Sequence, residues 1–333
     1  MSRLYAISGV TGMTGNELVR QILADKESKD HIVGFDNFYA SSIDTVSDCI
    51  GDERFEFFEY DINDKDQMDA FEQKIMSLRD DYDETVYINC AAVVHTEHFY
   101  EVYETFDTNV LGMKSFMEQA IRVGATVYIN CSTSEVYSMN SWNSEGGVRE
   151  DSFLTMADAE HSQRTSYAVG KLLTEFFMKD VVDKKKIRGC SIRFANVYSK
   201  DERYPKHIIP FIISSLKNDG KVTLLENSRK NRRTFLNNYD SCSAVLALIN
   251  SPDALDGTVY NVATDEEIKI TDLVKLCGSK MGIADPEISF KGYRESDPER
   301  RILSTEKIRT RTSWRPVVDL DKGITECVEN YTK

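Results

Sequence analysis

Between residues 4 and 194 the chain alternates short strand-like runs with helical stripes, and that rhythm admits few folds. Leu4–Ser8 reads as a strand, followed by a cluster of glycines and a helix with Leu18, Val19, Ile22 and Leu23 on one face. His31–Phe35 and Phe55–Tyr60 read as the next strands, and Asp64–Leu78 as an amphipathic helix striped by Met68, Phe71, Ile75 and Leu78. Thr85–Cys90, Thr126–Cys131 and Cys190–Phe194 continue the strands, and Thr108–Ala120 and Ser166–Asp180 the helices. Repeated βα units with short links imply an α/β protein with a doubly wound parallel sheet, covered by helices on both faces. Strands rich in Ile, Val, Tyr and Phe suit such two-sided burial.

After Phe194 the rhythm breaks. Ser199–Pro210 is polar and carries two prolines, Lys221–Leu225 and Val259–Val262 read as strands, Leu273–Met281 as a helix and Asp285–Arg301 as loop. The expectation is a smaller C-terminal α/β lobe beside the large sheet, with Val259–Val262 returning to that sheet. In residue terms, 1–195 with a returning segment near 232–265 would form the first domain, and 196–231 with 266–333 the second.

A chain of 333 residues can bury most of its apolar surface without a disulfide or metal staple. No apolar window reaches the length of a membrane span, and Ile208–Ile213 is cut by Pro210. The N-terminus runs straight into a strand, so no secretory signal is expected. Seven scattered cysteines without a Cys-x-x-Cys pair fit reduced thiols in a cytoplasmic protein. A net charge of −14 argues against nucleic acid as a partner. Two basic clusters, Arg229–Arg233 and Arg300-Arg301, interrupt that acidity and on composition alone read as solvated surface.

The glycine cluster is Gly9-Val10-Thr11-Gly12-Met13-Thr14-Gly15, placed between the first strand and the first helix. Such a turn lets the backbone approach a pyrophosphate, and the helix N-terminus adds free N–H groups and partial positive charge. Asp36 and Asn37 end the second strand. A carboxylate there accepts the hydroxyls of an adenosine ribose and repels a 2′-phosphate, which favours NAD over NADP. Asp61 and Ile62, ending the third strand, are placed to contact adenine.

Tyr167 and Lys171 are four residues apart on one helix and so share a face. A free phenol, with a pKa of about 10, is a poor base at neutral pH, and a neighbouring ammonium lowers it. Thr133, just past the fifth strand, is placed to hydrogen-bond the reacting oxygen beside Tyr167, with Ser134 and Glu135 following it.

Taken together, the glycine loop, Asp36, Asp61-Ile62, Ala91-Ala92 after the fourth strand, Asn109, Ser132-Thr133, Tyr167/Lys171 and Arg193-Phe194-Ala195-Asn196-Val197-Tyr198 resemble, in order, the extended short-chain dehydrogenase/reductase family. Its members include nucleotide-sugar epimerases, 4,6-dehydratases and decarboxylases. The Gly-x-x-Gly-x-x-Gly spacing is its extended variant. Arg233-Thr234-Phe235 resembles the family's diphosphate contact, and Asp297-Pro298-Glu299-Arg300-Arg301 with Trp314-Arg315-Pro316 its C-terminal diphosphate segment. The departures are Ser138 where a glycine usually follows Val-Tyr, a long 138–166 stretch, and Thr234 where an aspartate is usual.

The resemblance implies a Rossmann-type domain binding NAD through Gly9, Gly12, Met13, Thr14, Gly15, Asp36, Asn37, Asp61, Ile62, Ala91, Ala92, Asn109, Tyr167 and Lys171. It implies a nucleotide-diphosphate sugar held by Ser134, Asn196, Arg233, Arg300 and Arg301, and a homodimer built on the helices over 108–120 and 166–180. Tyr167, tuned by Lys171 and helped by Thr133, would deprotonate the sugar 4-hydroxyl while hydride leaves C4. An epimerase would return the hydride to the other face. A 4,6-dehydratase would use Glu135 as base, and a glucuronate decarboxylase a late arginine near Arg301. Epimerase is the expectation because epimerases are common in the family. A catalytically silent NAD-binding sensor is the remote alternative. His95, Glu97 and His98 have metal-like spacing but no further ligand, so no metal is expected.

Overall fold

The computed structural model describes residues 1–95, 98–138, 146–162, 164–202, 204–295 and 297–332. In its first half β1 (Arg3–Ser8), α1 (Met13–Ala24), β2 (His31–Asp36), β3 (Phe55–Glu59), α2 (Lys65–Leu78), β4 (Glu84–Asn89), α3 (Val102–Phe106), α4 (Met113–Arg122), β5 (Val127–Thr133), α5 (Thr165–Asp183) and β6 (Arg188–Phe194) succeed one another. The second half runs β7 (Asn196–Tyr198), α6 (Ile208–Asp219), β8 (Lys221–Leu224), β9 (Arg232–Asn237), α7 (Asn238–Ile249) and β10 (Asp256–Val262). It ends with β11 (Glu267–Lys269), α8 (Ile270–Lys280), β12 (Glu287–Phe290), β13 (Arg300–Arg301), α9 (Glu306–Arg311) and α10 (Leu320–Thr332).

Seven strands form one parallel sheet in the order β10-β6-β5-β4-β1-β2-β3. The chain winds outward from β1 to β3, then crosses back to β4 and winds the other way. The carboxyl ends of β1 and β4 therefore diverge into a crevice, the usual ligand position in such sheets. One sheet face is covered by Leu18, Val19 and Ile22 of α1 with Val245 and Leu248 of α7. The other is covered by Phe71 and Ile75 of α2, Phe116 of α4 and Met178 of α5. This is the doubly wound α/β architecture expected of the βα rhythm. Asp64 starts α2 by accepting hydrogen bonds from the N–H groups of Asp66 and Gln67, leaving the apolar stripe to set its packing.

In the second lobe β9 is central, with β7 and β13 parallel to it and β11 antiparallel. A parallel pair β8–β12 lies apart, and Ile212, Ile213, Leu273, Val274 and Ile324 of α6, α8 and α10 form the lobe's core. Within 232–265, β9 joins this small sheet, whereas β10 lies beside β6 in the large one.

Three local expectations are corrected. The stretch read as loop over Asp285–Arg301 contains β12 and β13, whose hydrogen-bond partners lie in β8 and β9 and leave no local pattern. A helix, α6, begins inside the polar stretch, with Pro210 in its first turn where a missing N–H breaks no helix bond. The helix expected over 108–120 begins with a π-helical turn, Asp107–Gly112, before α4.

Candidate active site

The carboxyl ends of the large sheet and the inner edge of the small one enclose a cleft of 1130 Å³, lined from Gly9 to Arg301. At its floor the glycine loop leaves β1 through Gly9, whose φ of +69° suits glycine, and the N–H groups of Gly9 and Val10 donate to Phe35 O at 2.8 and 3.2 Å. A Cβ on Gly15 would lie 2.1 Å from Gly9 O, so only glycine lets α1 close onto the loop. Gly12 caps α1 with no side chain, so the helix N-terminus at Met13 and Thr14 opens onto the cleft.

Asp36 is nearly buried, and its two oxygens accept from Thr11 N at 3.1 Å and Phe38 N at 2.9 Å. The carboxylate is thereby fixed at the cleft wall with lone pairs left for a ligand hydroxyl. Asn37 donates to Asp61 at 3.0 Å, and Ile62, Ala91 and Ala92 complete this side. Asn109 departs from the expected cofactor contact. Its amide both donates to and accepts from the backbone of Val93, at 3.0 and 2.7 Å, so it braces the loop after β4 and is not part of the lining.

Tyr167 and Lys171 project from α5 into the cleft opposite the glycine loop, both buried, with Tyr167 stacked on Phe99 at 4.2 Å. Thr133 lies beside Tyr167 on the cleft lining. The expectation of a phenol lowered by Lys171 is corrected. Burial raises the Tyr167 pKa above its ordinary value and the charge of Glu135 raises it further, against the opposing effect of Thr133. Lys171 instead donates to Cys131 O at 2.9 Å, and burial lowers its own pKa.

One turn beyond Lys171 on the same face, Glu175 anchors a buried network. It accepts from Ser132 Oγ at 2.6 Å and pairs in bidentate fashion with Arg193 of β6 at 2.9 and 2.6 Å. Arg193 also donates to Tyr137 Oη at 2.8 Å, which donates to Asn261 of β10 at 2.7 Å. Residues flanking Thr133 are thus tied to α5, β6 and β10 at once. The spacing Tyr167, Lys171, Glu175 was the available signal for this member of the network.

Toward the small lobe the lining turns cationic. Arg301 Nη1 meets Glu135 at 2.5 Å, Arg164 lies 4.0 Å from the same carboxylate, and Arg233 pairs with Asp297 at 2.9 Å. Burial pushes the Glu135 pKa up, but Arg301, Arg164 and Arg233 outweigh it and hold the carboxyl below its ordinary value. Arg233 is pushed down to about 10 by burial and by the like charge of Arg301, against the pull of Asp297. Asn196 lines the cleft and donates to Thr234 O at 3.0 Å. Ser134 is buried outside the lining, and Arg300 turns away to Glu267 at 2.8 Å, so neither is brought to the cleft. Arg164 was not singled out from the sequence, because its carboxylate partner Glu135 is distant in it.

Of the metal-like trio, His95 stacks on Tyr204 at 3.9 Å, while Glu97 and the side chain of His98 lie outside the described residues. The donors that are present suit a dinucleotide instead. A loop that requires glycine at positions 9 and 15 can offer N–H groups to a pyrophosphate, and a fixed carboxylate 25 residues on from Thr11 can accept from ribose hydroxyls.

The family model described as NAD dependent epimerase/dehydratase matches residues 5–263. A mouse dTDP-D-glucose 4,6-dehydratase is 25% identical over 336 residues, covering 98% of this chain and 88% of that protein. UDP-glucuronic acid decarboxylase 1 of Xenopus tropicalis is 24% identical over 335 residues, covering 98% and 72%. The crystal structure of UDP-glucuronic acid 4-epimerase from Bacillus cereus, in complex with UDP-glucuronic acid and NAD, superposes with a TM-score of 0.84 at 20% identity, covering 100% and 99%. At that identity the structural likeness is one of fold.

Proposed function

Because the chain belongs to the NAD dependent epimerase/dehydratase family, we propose that it is an NAD-dependent nucleotide-sugar enzyme that oxidises the sugar C4 hydroxyl transiently, as a 4-epimerase. The observation that carries this reading is the meeting of Tyr167, Thr133 and Lys171 at one end of the cleft whose floor is the glycine loop. NAD, when bound, accepts hydride from a carbinol carbon and returns it to the resulting ketone. Gly9–Gly15, Asp36, Asn37, Asp61 and Ile62 would hold its adenosine diphosphate half, and Ala91, Ala92 and Lys171 the other.

The rest is done by the chain's own groups. Tyr167 Oη takes the proton of the 4-hydroxyl and gives it back, and Thr133 orients that oxygen. Lys171, fixed on the Cys131 carbonyl one turn from Tyr167, would hold the ribose of the nicotinamide half. Arg233 and Arg301 supply cations for a diphosphate or another anionic group of the substrate.

The choice of epimerisation rests on Glu135. An elimination at C5 needs a base, and a carboxylate paired with Arg301 and Arg164 and held below its ordinary pKa is a weak one. The second reading, a 4,6-dehydratase or a glucuronate decarboxylase, is favoured by the same residue's place beside Tyr167 and by the surplus of arginine around it. Incubation with UDP-, GDP-, CDP- and dTDP-linked sugars, followed by product mass, separates the three. Unchanged mass with a new C4 configuration supports epimerisation, whereas loss of water or of carbon dioxide replaces it. No turnover on any of them with tight NAD binding would make the protein a cofactor-binding sensor.

A homodimer is part of this proposal. Val169, Leu173 and Phe176 of α5, with Phe106 and Leu111 beside them, present exposed apolar side chains on the outer surface. A cytoplasmic location is proposed on the seven free cysteines. Among the described residues no helix is long and apolar enough to cross a membrane.

A further inference from the structure

Five of the seven cysteines are buried, and two, Cys90 and Cys131, are partly exposed on the cleft wall. They follow the ends of neighbouring strands. Asn89 and Asn130 are register partners in β4 and β5, which places Cys90 and Cys131 side by side one step further on. Cys90 stays in the sheet, its N–H donating to Ser8 O at 3.2 Å. Adjacent strands lie about 4.8 Å apart, inside the Cα separation that a disulfide spans. Register partners also point to the same face of the sheet, which sets the two thiols beside each other.

The surroundings favour reaction at one of the two. The neighbouring Cys90 thiol and the Lys171 ammonium together hold Cys131 below its ordinary pKa against burial. Burial pushes the other thiols the opposite way, Cys49 to about 11 and Cys277 to about 12. A thiolate is the nucleophile in disulfide exchange, so the pair combines an attacking sulfur with a resolving one.

We infer that Cys90 and Cys131 form a redox-active vicinal dithiol opening onto the cofactor cleft, closed to a disulfide by low-molecular-weight disulfides. The Cys131 thiolate attacks one sulfur of the reagent R–S–S–R and expels one thiolate, leaving a mixed disulfide. Cys90 then loses its proton and attacks Cys131 Sγ, expelling the second R–S⁻. Two protein thiols are oxidised and one reagent disulfide is reduced to two thiols. The neighbours of the new bond are Ala91 and Ser132, so closure remodels the wall between the glycine loop and Thr133 and disfavours cofactor binding.

The test uses the whole chain, 4,4′-dithiodipyridine and peptide mass mapping. Expected are two equivalents of thiopyridone in a fast phase, no retained pyridyl group, and a peptide cross-link joining residues 90 and 131. Cys90→Ser should release one fast equivalent and keep the adduct on Cys131, so a variant that folds poorly is recognised by reaction at the buried five. A fast phase on other cysteines, or a stable adduct on Cys131 in the unaltered chain, would overturn the inference. Saturating NAD should slow the fast phase by about tenfold or more, since a bound ligand closes the reagent's route. That protection depends on the proposed function, whereas the cross-link does not. Cross-linking without protection therefore counts against NAD binding in this cleft and for the dithiol.

Discussion

The two sides of the cleft are built by different means. On the large-sheet side, polar groups are held by backbone: Asp36 by two N–H groups, the glycine loop by Phe35 O, Asn109 by Val93, and Lys171 by the Cys131 carbonyl. Where the cleft meets the small lobe, ion pairs hold the lining: Arg301 with Glu135, Arg164 with Glu135, and Arg233 with Asp297. A backbone donor has one direction and no charge of its own to satisfy. An arginine freed from one carboxylate can take another, or a phosphate, with the same fork. Under the proposed function, the first side would hold one ligand in one pose, and the second would exchange internal anions for those of an incoming substrate.

The largest expected effect lies on the fixed side. Tyr167→Phe removes the proposed proton-transfer group and leaves its ring packed on Phe99. Turnover should fall about 10²–10⁴-fold, the usual worth of general acid–base catalysis. NAD affinity, measured by fluorescence titration, should stay unchanged. A variant with near-normal turnover would show that the proton goes elsewhere and would break the assignment of chemistry to this side.

Next comes the brace behind it. Glu175 and Arg193 are both about 95% buried, with side-chain exposures of 5% and 5%. Glu175→Gln strands a guanidinium in the interior, and breaking a buried pair from one side costs about 3–5 kcal/mol. Arg193→Met combined with Glu175→Gln should recover much of that loss in urea denaturation, although Tyr137 loses a donor. If the single variant were no less stable than the parent, the fixed side would owe its rigidity to the sheet alone.

The same contrast explains what the sequence disclosed. The glycine loop, Asp36 and the Tyr167/Lys171 spacing are local patterns, each set by a few neighbouring residues and a strand end, so they could be read before the fold was known. The βα rhythm likewise announced the parallel sheet. The small lobe resisted because its contacts are long-range. Arg301 and Glu135 are 166 residues apart, and β13 is two residues long and exists only through its pairing with β9. Arg300 and Arg301 look equivalent in sequence, yet adjacent residues of a strand face opposite ways, which sends one to Glu267 and the other into the cleft. The raised Tyr167 pKa is hidden from the sequence for a related reason. Helix spacing shows Lys171 nearby, but only packing shows the burial and the Glu135 charge that raise the phenol.

Arg301→Met sharpens the exchangeable side. Glu135 ordinarily titrates near 4.5, and in the folded chain it lies lower. Its pairing therefore stabilises the fold above about pH 4.5, and that contribution is lost as pH falls through the lower folded value. Without Arg301, burial is opposed less strongly, so the acid loss of stability should begin at higher pH, as followed by urea midpoints across pH 3–7. The freed carboxylate is also the stronger base. A trace of dehydrated product from this variant would support the idea that Arg301 restrains Glu135, and an unchanged acid profile would count against it.

The smallest effect is expected where the two sides join. Tyr137 belongs to the buried network through its hydroxyl, and the next residue, Ser138, leaves it with φ 37° and ψ −97°. A side chain at positive φ costs about 1–2 kcal/mol, because Cβ crowds the backbone, and glycine escapes that cost. Glycine gives back part of the gain through the extra freedom of its unfolded chain, about 0.5–1 kcal/mol. Ser138→Gly should therefore raise stability by less than about 1 kcal/mol in urea denaturation, with turnover unaltered. Destabilisation would mean that the serine hydroxyl holds the seam, and the turn would then belong with the side-chain-built half of the cleft.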